Sequence, residues 1–77
     1  MRTKRINVDQ LVVGDIVNVK DLMVGQIVCS GKGYHHDFRQ ISKLVEDVAA
    51  QGTLILFVGG EAQFSRFDNM VTIVIAA

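Results

Sequence analysis

The sequence predicts an α+β domain in which one amphipathic helix is set among short, mostly antiparallel strands. Three features of the 77-residue chain carry that expectation. Phe38, Ile41, Leu44, Val45 and Val48 recur at intervals of three and four, the spacing that lines up one stripe of a helix. Short β-branched runs on either side of that segment alternate or run continuously as strands do. Between two of these runs, Gly59-Gly60 is a two-residue hairpin signal, because both glycines adopt positive φ without steric cost.

Taken in order, Arg2 to Val8 reads as a first strand, followed by a tight turn at Asp9 to Leu11. Val13, Gly14 and Asp15 lead into a second strand at Ile16 to Val19, with Val13, Val17 and Val19 on one face and Asn18 on the other. Lys20 and Asp21 form a polar break. Val24 to Cys29 is a third strand, ended by the glycine-rich turn Ser30 to Gly33. Val13-Gly14-Asp15-Ile16-Val17 and Val24-Gly25-Gln26-Ile27-Val28 share the pattern V-G-x-I-V, as two strands of one hairpin would, although five residues are too few to argue duplication.

The helix is expected from Phe38 to Gln51, between the third and fourth strands. Asp37 serves as its N-cap, Gln40 reaches back as in a capping box, and Gly52 provides the left-handed stop. Thr53 to Val58 follows as a continuous apolar strand, Glu61 to Phe64 returns beside it, and Ser65 to Asn69 turns the chain. Met70 to Ile75 closes the series. Both of its faces are mostly apolar, so it is either a central strand covered on both sides or an edge that pairs with another chain.

The stretch Leu11-Val12-Val13-Gly14-Asp15-Ile16-Val17-Asn18-Val19 resembles the L-x-V-G-D-x-V entry of SH3-like small β-barrels, including KOW-type and Hint-type domains. Phe67-Asp68-Asn69-Met70-Val71-Thr72-Ile73 looks like the short turn and closing strand of the same barrels. The resemblance implies a compact barrel whose Gly14 and Asp15 make the turn that begins a strand. A helix between the third and fourth strands is similar instead to the order of OB-folds, so SH3-like and OB-like barrels both stand. Hint-type self-processing does not carry over, because those domains begin with a nucleophilic Cys or Ser and this chain begins Met1-Arg2-Thr3.

No proline and no low-complexity tract interrupts the sequence, which supports a single domain over residues 1–77. Eight basic and eight acidic side chains cancel, so any attraction for nucleic acid or anionic lipid must come from a local patch. Half the residues are hydrophobic (49%), a high share for a small domain with much surface to cover. Apolar surface is therefore expected to remain outside the core, which favours a homo-oligomer or a partner-binding face. Arg2, Lys4 and Arg5 are not followed by the apolar stretch of a secretory signal, and the longest apolar runs fall far short of a membrane span. A soluble, cytoplasmic protein is expected.

Little in the chain suggests catalysis. Cys29 is the only cysteine, which precludes an internal disulfide and suits a buried small hydrophobe in a reducing compartment. Cys29, His35, His36 and Asp37 lack the paired spacing of a structural zinc site, and no orienting group completes a Cys-His nucleophile. Gly31-Lys32-Gly33 lacks the spacing and the Ser/Thr of a phosphate loop, and Glu46 and Asp47 read as solvated surface. No enzyme, metal or cofactor is expected.

The leading functional expectation is a small non-catalytic binding module that acts through protein contacts, as an adaptor or inhibitor of a larger machine. Its candidate surface is Lys32, Tyr34, His35, His36, Arg39 and Lys43, and its candidate homodimer edge is Met70, Val71, Ile73 and Ile75. The alternative is a nucleic-acid-binding barrel in which Arg2, Lys4 and Arg5 join that surface and Tyr34 supplies a stacking platform.

Overall fold

The computed structural model describes residues 2–22 and 38–76. Among them are six strands and no α-helix. The strands are β1 (Arg2–Asn7), β2 (Ile16–Asn18), β3 (Phe38–Asp47), β4 (Gly52–Phe57), β5 (Ala62–Arg66) and β6 (Met70–Ala76). All neighbours are antiparallel, in one open sheet of order β1-β6-β2-β3-β4-β5. Among the described residues the fold is therefore all-β, not α+β, and the sheet is open, not a closed barrel. The expected third strand and glycine turn, with Cys29 and Asp37, lie outside the described residues.

The expected helix is β3, and a β-bulge explains why its sequence reads otherwise. Ile41 pairs with Phe57, Lys43 with Leu56 and Leu44 with Ile55, so Ser42 has no counterpart on β4. The extra residue restores Leu44 to the face of Ile41 after three positions instead of two. A helical interval thus arises within a strand. Ser42 Oγ donates to Leu56 O at 3.1 Å across this bulge. The rest of the supposed stripe disperses: Val45 turns to the opposite face and Val48, 75% exposed, lies in the turn after β3. Gln51 takes the left-handed conformation there (φ 55°), while Gly52, expected to be the helix stop, starts β4.

The core occupies one side of the sheet. Val17, Ile41, Ile55, Phe57, Val71 and Ile73 point to that side, and Val8, Leu11 and Leu22 cover it from two 3-10 turns, Val8–Gln10 and Val19–Leu22. Burial of each aliphatic side chain contributes about 1.5–3 kcal/mol before entropy is charged against it. The first turn packs on β4 and the second on β5 and β6, so the far strands of the open sheet share one core. Val13, expected on the core face with Val17, is exposed in the turn before β2.

That turn follows from its residue types. Gly14 has φ +99°, and the Asp15 carboxylate accepts from Val12 N at 3.0 Å while Asp15 N donates to Val12 O at 3.1 Å. Gly14 N donates to Ile41 O at 3.0 Å and Ile41 N to Asp15 O at 2.9 Å, which docks the turn on β3 just before the bulge. The Gly59-Gly60 turn joins β4 to β5 as expected, both glycines at positive φ, with Phe57 N donating to Glu61 O at 2.8 Å.

Candidate interaction surface

Among the described residues the sheet is a single layer with its core on one side, and its outer face is apolar in one place. Val45 on β3 pairs with Leu54 on β4, and Leu54 with Phe64 on β5. The three side chains form a cross-strand row, 42%, 38% and 40% exposed. Leu56 and Lys43, also paired, extend the row along β3 and β4. Gly52 lies buried at its other end because the Phe64 ring crosses it: a Cβ there would meet the ring and approach Ser65 O to 2.6 Å. The missing side chain gives the aromatic ring its seat.

The row ends at β5, an edge that pairs only with β4 among the described residues. Beside that edge is a cleft of about 490 Å³ lined by Leu22, Phe64, Ser65, Arg66, Asp68 and Asn69. A second, of about 360 Å³, is lined by Val48, Gln51, Arg66, Phe67 and Asp68. The Arg66 Nε to Asp68 Oδ1 ion pair, at 3.4 Å, stands between them. Ser65 is buried, with its hydroxyl accepting from Asn69 Nδ2 at 3.0 Å. No group of three or more His, Cys, Asp or Glu among the described residues could hold a metal ion. The chemistry on offer is apolar contact with a charged rim.

Of the surface expected from the sequence, Lys32, Tyr34, His35 and His36 lie outside the described residues. Arg39 and Lys43 would share a helix face four residues apart, but the strand and its bulge place them on opposite faces. Arg39 sits opposite Val17 on the core side and forms a salt bridge with Glu61, whereas Lys43 sits opposite Leu56 on the outer side. The expected homodimer edge is interior. β6 pairs with β1 along its length and with β2 at Val17–Ile73; Val71 and Ile73 are buried, while Met70 and Ile75 remain exposed.

Sequence alone hides the row of Val45, Leu54 and Phe64, because Val45 falls within a helical stripe and Leu54 within a continuous apolar strand, neither of which marks the uncovered face. The available signal was the run from Leu54 to Val58: a strand apolar on both faces exposes one of them when the sheet is a single layer. Among the described residues no helix is long and apolar enough to cross a membrane. Comparison of the chain with family models, with curated proteins and with solved structures returns no match in any of the three.

Proposed function

We propose that the chain is a non-catalytic binding module whose outer sheet face receives a partner protein. The observation that carries this reading is the row of Val45, Leu54 and Phe64, three large apolar side chains in register on an exposed face. Aromatic and aliphatic anchors ringed by charge suit the centre of a protein interface, where contact area forms at little conformational cost. Lys43 at one side and the Arg66–Asp68 pair at the other supply that rim. The partner is a protein presenting an apolar patch of its own.

A nucleic-acid role draws less support from the geometry. Arg39 and Lys43 are on opposite faces, and β6 and β2 separate β3 from the cations of β1. The test is a doubly substituted chain, Leu54→Ser with Phe64→Ser, checked for folding by circular dichroism. A set of proteins captured from the native host by the unsubstituted chain should be lost with this variant and retained with Val13→Ser, a change at an exposed position outside the row. Sedimentation of both chains shows whether the partner is a second copy. An identical captured set and identical sedimentation for the two chains would sink the reading.

A further inference from the structure

Among the described residues the sheet ends in two strands of different character. β5 ends an apolar row, whereas β1 carries Arg2, Lys4 and Arg5 within four consecutive residues of a chain whose formal charge is zero. On β1, Lys4 pairs with Ile73 and Ile6 with Val71, which places Lys4 on the core-side face; Arg5, opposite Thr72, is on the outer face. Arg5 is held in place, donating to Thr72 Oγ1 at 3.3 Å and Met70 O at 3.4 Å, with Asp21 Oδ1 at 4.0 Å. Arg2 and Lys4 are exposed and have no ion-pair partner among the described residues.

The backbone of this edge is oriented for pairing. Thr72 N donates to the Asp21 carboxylate at 2.8 Å, away from β1, which makes Arg5–Thr72 a non-hydrogen-bonded pair of the antiparallel ladder. The N–H and C=O of Arg5, and by the two-residue period those of Thr3, therefore point to the side of β1 that no described strand pairs with. Asn7 N, next in that series, donates to Gln10 Oε1 at 3.3 Å, so the edge is closed by its own turn at that end. Donors, acceptors and cations coincide over residues 2–5.

We propose that β1 receives an extended acidic peptide of a partner protein as an added strand, at a site separate from the apolar outer face. Backbone pairing at Thr3 and Arg5 supplies register, and neighbouring carboxylates of the peptide, alternating between faces, meet Lys4 on one side and Arg5 on the other. The attraction is local and screened by salt, since the pairs form at the surface.

The test is fluorescence anisotropy with a labelled seven-residue peptide of Val and Glu that has two adjacent Glu at its centre. Against it stand the same peptide N-methylated at its central amides, the peptide with Lys for Glu, and a single-stranded oligonucleotide of equal charge. Saturable binding should weaken by about tenfold on N-methylation, through lost backbone hydrogen bonds, and by a similar factor in Arg2→Glu with Lys4→Glu. Leu54→Ser with Phe64→Ser should leave it unchanged, which separates failure here from failure of the outer-face reading. Binding indifferent to N-methylation, equal binding of the oligonucleotide, or no binding at millimolar peptide would each overturn the proposal.

Discussion

The side-chain amide of Asn69 donates to the main-chain carbonyl of Asp21 at 3.0 Å. Through that contact the turn between β5 and β6 holds the 3-10 turn that covers the core. The same amide donates to Ser65 Oγ at 3.0 Å, Asn69 N donates to Arg66 O at 3.1 Å, and Val8 N donates to Asn69 O at 3.0 Å. One residue joins β5, β6 and both 3-10 turns.

Asn69→Ala should therefore destabilise the fold by about 1–3 kcal/mol, since it removes two donated hydrogen bonds and leaves the Ser65 hydroxyl in a buried site. Asn69→Asp should cost at least as much, because a carboxylate cannot donate to the Asp21 carbonyl. Urea denaturation followed by circular dichroism measures both; a loss below 0.5 kcal/mol for either would remove the node from the account, that being the range of ordinary surface changes (about ±0.5 kcal/mol).

Ile41 and Val48 separate the sheet from the helix that the sequence suggests. On a helix they lie on one stripe, and both substitutions would injure the core. In the sheet Ile41 is buried and Val48 is exposed in a turn. Ile41→Ala should cost about 2–5 kcal/mol, and Val48→Asp should change stability by no more than about 0.5 kcal/mol. Comparable losses at both positions would restore the helix.

Strand boundaries were legible wherever turn chemistry punctuated them. Gly14 with Asp15 and Gly59 with Gly60 mark turns by residue type alone, and β1, β2, β4, β5 and β6 fall close to their expected spans. β3 was not legible, because periodicity assumes an uninterrupted repeat and the bulge at Ser42 breaks it, so Ile41 and Leu44 mimic a helical pair. The position of β6 was open for a different reason. An apolar strand looks the same in sequence at the centre of a sheet or at an unprotected edge, and only pairing with β1 and β2 decides. The site is obscured by the first of these causes: on a helix from Phe38 to Gln51, Arg39 would lie beside Lys43 and Val45 within a core stripe.

Gly52 and Phe64 should behave as a coupled pair. Gly52→Ala places a methyl group where the ring lies and should cost about 1–3 kcal/mol. In the background of Phe64→Ala the share of that penalty due to the ring should vanish, while the share due to Ser65 O remains, a coupling read directly from a double-mutant cycle. Additive effects would mean that the ring does not rest on the glycine.

Asp21→Ala removes the acceptor of the Thr72 N–H and should cost about 1.5–3 kcal/mol, the range for hydrogen bonds to charged groups. Amide exchange gives the sharper test. Exchange at Thr72 should accelerate well beyond the change at Val71, whose N–H lies on the β1 side of β6. Equal acceleration at both would indicate general destabilisation instead of a lost local acceptor.

Ser42 also has a bearing on which changes of length the chain can absorb. An inserted or deleted residue within a paired strand ordinarily sends every following side chain to the wrong face. Deleting Ser42 does the reverse: Ile41–Phe57, Lys43–Leu56 and Leu44–Ile55 all keep their partners, now as an unbroken ladder. The change would be felt in shape, since a bulge bends and twists its strand, and the sheet would be flatter across its middle with its core-facing residues unaltered in sequence. The centre of β3, where a deletion would ordinarily be most damaging, is thus a place where related chains could differ by one residue and keep the same pairing.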